Sequence, residues 1–234
     1  MFFKKHKKLC IAISIPFALA LISYIALLVY ASDYYKADED AIYVYENNEN
    51  LTTIDKLTIL SPEEPNGEGI IFYPGGKVEA TAYLPILEKL QEKGFVCVLL
   101  TVNFNLAIFD VNAADAVYEQ VPEIDSWYIM GHSLGGATAS MYAESHADEI
   151  EGLIVLGAYV YGDYPTEKSL TIYGEFNTNV AQSIDYEDNI VVIEGGNHAQ
   201  FGNYGKQDGD TDATITTQEQ QDIAVEAICD FVNE

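Results

Sequence analysis

Ser126-Trp127-Tyr128-Ile129-Met130-Gly131-His132-Ser133-Leu134-Gly135-Gly136-Ala137-Thr138-Ala139-Ser140-Met141-Tyr142-Ala143 passes from a strand-like apolar run into a helix-like run across a G-x-S-x-G turn. In that setting the pattern reads as a nucleophile elbow. A serine forced into a tight, strained turn leaves no room for side chains two residues before and two after it, so both places go to glycine. The Ser133 hydroxyl is then held above the sheet edge. The backbone N–H of Leu134, at the start of the following helix, points to where a tetrahedral oxyanion would form, and the positive end of the helix dipole adds to it.

Two further stretches lie just past apolar strands. In Phe72-Tyr73-Pro74-Gly75-Gly76-Lys77 a strand runs into a glycine pair. The backbone N–H groups near Gly76 and Lys77 are the expected second half of an oxyanion hole, because the glycines let main chain approach a substrate carbonyl. The Lys77 side chain reads as a solvated lysine. In Glu194-Gly195-Gly196-Asn197-His198-Ala199-Gln200-Phe201-Gly202-Asn203-Tyr204-Gly205, His198 is the histidine placed after a late strand. A base must sit there to take the proton from Ser133. His6 lies before the apolar N-terminal run, His146 reads as helical and exposed, and His132 is fixed in the elbow beside the serine.

Outward from these motifs, strand signals over 53–60, 69–73, 95–102, 127–130, 152–157, 170–173 and 190–194 alternate with helical signals over 80–93, 111–121, 134–145 and 217–232. Short, nearly all-apolar strands between amphipathic helices indicate an α/β fold: a mostly parallel sheet with helices on both faces. Active sites on such sheets form at the carboxyl ends of the strands, where all three motifs fall.

Residues 1–31 stand apart as a basic stub and a transmembrane anchor, leaving 32–234 as one folded domain. Lys4, Lys5, Lys7 and Lys8 precede an uncharged apolar run over 9–31, and Asp33, Asp38, Glu39 and Asp40 follow it. At about 1.5 Å rise per residue the run spans a hydrocarbon core of roughly 30 Å. Lysines before it and acids after it place the N-terminus in the cytoplasm and the domain outside the cell membrane. Val29-Tyr30-Ala31 resembles a signal-peptide cleavage site, but the run exceeds the usual ~7–15 residues of such peptides, which favours an uncleaved anchor. Cys10, at the start of the run, does not read as a lipoprotein cysteine. Cys97 and Cys229 sit in apolar runs where buried free thiols are expected.

The chain carries 37 acidic and 11 basic residues, a formal net charge of −26, and all the basic residues are lysine. That balance repels nucleic acid and other polyanions, and without arginine there is no forked clamp for phosphate or carboxylate. Neutral or cationic substrates fit better. No nucleotide-binding glycine fingerprint, zinc spacing or haem motif is present, so neither cofactor nor metal is expected; Asp208, Asp210 and Asp212 alternate, but without the glycine and terminal acid of a calcium loop, and read as a solvated loop. Phe104, Leu106, Ile108 and Phe109 form an apolar loop that either lines an acyl pocket or completes the core.

Taken together, Ser32-Asp33-Tyr34-Tyr35, Tyr73-Pro74-Gly75-Gly76-Lys77, Asn105-Leu106-Ala107, the elbow at 131–136 and the histidine segment at 195–205 resemble the α/β-hydrolase superfamily. The similarity is to small bacterial membrane-anchored serine hydrolases of the carboxymethylenebutenolidase-like or dienelactone-hydrolase-like group. A cap domain is usually inserted between the two strands that follow the elbow helix in this architecture. Here only about a dozen residues separate strands 152–157 and 170–173, so the resemblance implies an uncapped, open site. It also implies an acid in the loop after strand 170–173, in the order glycine, any two residues, aspartate. That loop reads Gly174-Glu175-Phe176-Asn177, with Asn177 in the aspartate's place. Glu175, one carbon longer, is the first candidate to orient His198, Asp163 the second and Asp185 the third. The resemblance implies hydrolysis of a carboxylic ester or related acyl bond through an acyl-enzyme on Ser133, with a small-molecule or lipid-like acyl substrate. An envelope acyltransferase, or a surface binding protein on the same scaffold, is the alternative.

Overall fold

Strand residues Ile70 and Phe72 face one side of the sheet and their neighbours Ile71 and Tyr73 the other, and all four are fully buried. Successive side chains on a strand point to opposite faces, so a strand that is apolar throughout needs cover on both. The computed structural model, which describes the backbone of residues 2–233 and the side-chain surroundings of 15–233, provides it. The side chains of Lys4, Lys5, His6, Lys7, Lys8 and Cys10 lie outside the described residues. The sheet comprises β1 (Leu51–Ile54), β2 (Leu57–Leu60), β3 (Glu68–Tyr73), β4 (Val96–Leu100), β5 (Ser126–His132), β6 (Gly152–Leu156), β7 (Ser169–Gly174) and β8 (Ile190–Ile193). Their spatial order is β1-β2-β4-β3-β5-β6-β7-β8. From β4 to β8 the pairing is parallel; β2 runs antiparallel to β1 and to β4.

The helices are α1 (Phe2–Ser32), α2 (Glu39–Asn47), α3 (Leu84–Glu92), α4 (Asp115–Gln120), α5 (Leu134–Ser145), α6 (Thr178–Ser183) and α7 (Thr217–Val232). One buried cluster joins Ile70, Phe72, Leu99, Met130 and Ile154 to Leu87 and Leu90 of α3 and Val225 and Ile228 of α7. The other joins Ile71, Tyr73, Val98, Ile129 and Val155 to Val117 of α4 and Ala139 and Tyr142 of α5.

Several elements differ from the sequence reading. The single strand expected over 53–60 is a hairpin, because Asp55 takes a left-handed φ of 52° and turns the chain so that Ile54 pairs Leu57; aspartate tolerates that region better than most residues. The helix expected over 80–93 begins as a 3-10 turn, Ala80–Tyr83, and becomes α-helical at Leu84, with a proline in its first turn where no N–H is missed. Helix α2, which the hydrophobic pattern did not reveal, is started by Asp38, whose side chain accepts from the Ala41 N–H at 3.0 Å.

The chain divides into two compact units, Met1–Tyr34 and Tyr35–Glu234. In the first, Ile15–Ser32 of α1 is long and apolar enough to cross a membrane. In the second, residues 157–168 connect β6 to β7 with no more regular structure than a 3-10 turn, Thr166–Lys168, so no cap is inserted there. Cys97 and Cys229 are free thiols, and burial pushes the Cys97 thiol far up.

Candidate active site

Ser133 sits between the last residue of β5 and the first of α5 with φ 54° and ψ −120°. A non-glycine residue pays for that conformation, and it persists only where the surroundings enforce it. Here they do. The Ser133 N–H donates to the Leu156 carbonyl at 3.0 Å. A Cβ on Gly131 would come within 2.3 Å of the Gly135 carbonyl oxygen, and one on Gly135 within 2.2 Å of the Tyr73 carbonyl oxygen. The flanking glycines are therefore required by main-chain contact.

The connections after β5, β7 and β8 converge on the serine. His198 Nε2 lies 3.0 Å from Ser133 Oγ. At the other ring nitrogen, Nδ1, the partner is the side-chain amide of Asn177 at 2.7 Å. Glu175, the expected acid, is elsewhere: its carboxylate accepts the Gly195 N–H at 2.9 Å and pins the turn before His198. The physical cause is main-chain pairing. Glu175 still continues the ladder, its N–H donating to Ile193, whereas a turn from Asn177 N–H to Gly174 C=O at 2.8 Å swings residue 177 back toward the imidazole. Asp163 and Asp185 are exposed, and no hydrogen bond joins either to His198.

Asp210, expected in a solvated loop, instead turns its carboxylate onto the main chain of the histidine segment. Its carboxylate accepts the Ala199 N–H at 2.8 Å, the Thr211 N–H at 2.9 Å and the His198 N–H at 3.4 Å. A polar cavity of about 390 Å³ opens beside it, lined among others by Phe176, Asn177, His198 and Asp208. Burial lowers the His198 pKa below its ordinary value, and the Asp210 charge works in the opposite direction.

His132, fixed in the elbow, is fully buried and joins the two halves of the site. The Gly75 N–H donates to Tyr83 Oη at 3.1 Å, Tyr83 Oη lies 2.8 Å from His132 Nδ1, and His132 Nε2 lies 3.0 Å from the His198 carbonyl. A doubly protonated ring would leave the buried Tyr83 hydroxyl proton without an acceptor, and the other neutral tautomer would set a bare Nε2 against the carbonyl, so Tyr83 donates to Nδ1 and Nε2–H donates to the carbonyl. His132 is accordingly neutral. Burial, reinforced by the nearby His198, holds its pKa well below the ordinary histidine value.

Of the expected oxyanion donors, Leu134 is the first residue of α5, where an N–H has no partner within the helix. The Gly76 backbone lies against it, since a Cβ on Gly76 would meet Leu134 Cδ2 at 2.9 Å. Among the described residues the Gly76 N–H makes no main-chain hydrogen bond. The Lys77 N–H, by contrast, is taken by the Asn105 carbonyl at 2.7 Å, which removes it as a donor to substrate; the residue is half-buried. The same bond ties the apolar loop to this strand end. Leu106 is buried, while Ile108 and Phe109 are exposed, with Phe109 edge-on to Phe104 at 5.9 Å between ring centroids. The loop thus both completes the core and presents an apolar rim.

An uncapped, mostly parallel sheet carrying a strained serine at the β5–α5 turn and a histidine beyond β8 has the architecture of an α/β hydrolase. The chain belongs to the alpha/beta hydrolase family, whose sequence profile matches residues 69–222. It is also similar to a pyrethroid hydrolase of Sphingobium wenxiniae, with 37% identity over 57 residues. That stretch is 24% of this chain and spans only 20% of the pyrethroid hydrolase. Among solved structures, a monoacylglycerol lipase from Paleococcus ferrophilus superposes with a TM-score of 0.54 at 13% identity, covering 76% of this chain and all of the lipase. A serine hydrolase without a lid from Xanthomonas campestris gives 0.52 at 14% identity, covering 78% and 93% of the two chains. At such identities the likeness is one of fold.

Proposed function

We propose that the protein is a membrane-anchored serine hydrolase that cleaves a carboxylic ester or related acyl bond. The observation that carries this reading is the 3.0 Å approach of His198 Nε2 to the Oγ of a serine held at a left-handed φ. In the reaction, Ser133 Oγ bonds to the acyl carbon while its proton passes to His198 Nε2. The Leu134 and Gly76 N–H groups receive the oxyanion. The alcohol departs with the proton from Nε2, and water, deprotonated by the same nitrogen, then releases the acid and restores the serine. Asn177 orients the imidazole. For His198 to act as base its Nδ1 must carry hydrogen, so the Asn177 amide presents its oxygen there; amide oxygen and nitrogen exchange by a simple flip.

The open site and the apolar rim at Phe104, Ile108 and Phe109 suit a small-molecule or lipid-like acyl ester. The strongly acidic surface favours a neutral or cationic one. The names of the similar pyrethroid hydrolase and monoacylglycerol lipase point the same way. The apolar helix, with lysines before it and acids after it, supports a single-pass anchor in the cell membrane with residues 32–234 outside as one catalytic domain. The amide in place of a carboxylate at Nδ1 favours one second reading, a binding protein that has kept the scaffold.

Turnover of p-nitrophenyl acetate and butyrate by the full-length protein in detergent tests the proposal. Turnover that vanishes in Ser133→Ala is expected. Equal rates in wild type and variant would contradict it, and acyl retention on an added alcohol acceptor would turn the assignment toward an acyltransferase.

A further inference from the structure

The position that faces His198 Nδ1 holds a neutral amide, yet the mechanism above makes the imidazole positive each time the Ser133 proton arrives. An amide can hold the ring, but it cannot neutralise that charge as a carboxylate does. A carboxylate that lies against the histidine from the main-chain side is nevertheless present. Asp210 accepts the N–H of His198 itself at 3.4 Å and that of the next residue, Ala199, at 2.8 Å.

We infer that Asp210 is the electrostatic positioning residue of this site: it fixes the backbone that carries His198 and supplies the negative charge that Asn177 lacks. The inference rests on the proposed roles of Ser133 and His198. The geometry explains why the loop over 202–212 folds back onto the histidine turn. The Asn197 side chain donates to the Thr211 carbonyl at 2.9 Å, and Asp210 closes the loop with its three main-chain bonds.

The other groups facing the pair do not supply this charge. His132 is neutral, 4.7 Å from the His198 ring between centroids. Tyr204 and Tyr83 are buried phenols whose pKa values burial drives upward, so both stay neutral. Lys206, a cation within this loop, is ion-paired to Asp212 at 2.6 Å. Glu175 is engaged with the Gly195 N–H, and Asp208 is exposed, with no hydrogen bond from its carboxylate to the histidine turn among the described residues. Of the charges around the imidazole, Asp210 is the one that favours its protonated form.

No atom is transferred to Asp210. The proton from Ser133 Oγ rests on His198 Nε2 while the tetrahedral adduct forms, then leaves on the alcohol oxygen; the carboxylate lowers the energy of the intervening cation.

The test uses full-length protein in detergent, with Asp210→Asn, which is nearly isosteric and keeps an oxygen for the Ala199 N–H. Asp210→Ser serves as a second variant should the first misfold, and Glu226→Gln, at an exposed position of α7, as a charge control. In Asp210→Asn the kcat/KM plateau is expected to fall on the order of tenfold, and its acid limb to move to lower pH. The sign follows because removing the anion makes His198 easier to deprotonate. Glu226→Gln is expected to leave both unchanged. In an Asn177→Asp background, where a carboxylate faces Nδ1, the loss from Asp210→Asn is expected to be smaller. A structural role alone would lower the plateau without moving the limb. A nuclear magnetic resonance titration of the His198 imidazole gives the same answer without turnover, with a lower titration midpoint expected in the variant. An unmoved limb or midpoint, or equal losses in both backgrounds, overturns the inference. Absence of Ser133-dependent turnover in wild type would instead overturn the reading on which it rests, and the titration still decides the Asp210 claim.

Discussion

Replacing Asn177 by aspartate changes one atom in the most consequential hydrogen bond of the site, the 2.7 Å contact to His198 Nδ1. A carboxylate can only accept, so it would hold the Nδ1–H form that leaves Nε2 free to take the Ser133 proton. The amide supports either form, according to which end it presents. The carboxylate would also stabilise the imidazolium directly. In a serine protease the reverse change costs about ten-thousandfold in kcat, or about 5.4 kcal/mol. That figure is a ceiling here, because Asp210 already places a negative charge beside the histidine backbone. The expected gain for Asn177→Asp is therefore between about tenfold and about a thousandfold in kcat, or about 1.4 to 4 kcal/mol off the barrier. Residue 177 is 8% exposed, and its new charge would be met by the Nδ1–H, so the fold should carry it. The assay is p-nitrophenyl butyrate turnover by the full-length protein across pH. The acid limb is expected to move upward, since a facing anion raises the histidine pKa. Unchanged or lower kcat in a folded Asn177→Asp protein would refute the reasoning, because it would mean that the amide is not what limits the base.

Other perturbations test the frame around the serine. Tyr83→Phe strips the partner from both the Gly75 N–H and His132 Nδ1 in a fully buried setting; a loss of about 2–6 kcal/mol in urea unfolding is expected at about 1–3 kcal/mol per orphaned group, and a loss under about 0.5 kcal/mol would contradict the chain of bonds described. Gly76→Ala would press a methyl to 2.9 Å from Leu134 Cδ2 and shift one of the two proposed oxyanion donors against the other; kcat should fall by about tenfold to a hundredfold with little change in urea midpoint. Folding stability should decline as pH falls below the ordinary histidine value. The folded-state His132 pKa is depressed, so the unfolded chain binds the extra proton, and stability is full above pH ~6.5 and lost toward the folded pKa by at most about 1.4 kcal/mol per pH unit from this residue. Urea titrations at a series of pH values check this, and a His132→Asn variant should show a shallower slope.

How much the chain discloses before it folds depends on whether a feature is local. The elbow is legible because the tight turn itself demands Gly131, whose Cβ would strike Gly135 four residues on, although Gly135 answers to Tyr73 on the neighbouring strand; 217–232 is a helix because Thr216 and Glu219 cap one another reciprocally at its start. The β1–β2 hairpin escapes notice because its turn is made by Asp55 without a glycine. The choice between Glu175 and Asn177 is not local. It is made by β8, which keeps Glu175 in the ladder and lets residue 177 turn inward. The Lys77 N–H is likewise lost as an oxyanion donor to a carbonyl on a separate loop, that of Asn105. Asp210 looks like one of three equivalent acids in a polar loop until the loop closes on His198.

The most direct test of the central claim is covalent: full-length protein in detergent is treated with a fluorophosphonate, and the adduct is mapped by mass spectrometry beside Ser133→Ala. A single adduct on Ser133, absent from the variant and slowed in His198→Ala, is the predicted result. No adduct on well-folded wild type, or an adduct that persists in Ser133→Ala, would contradict the account.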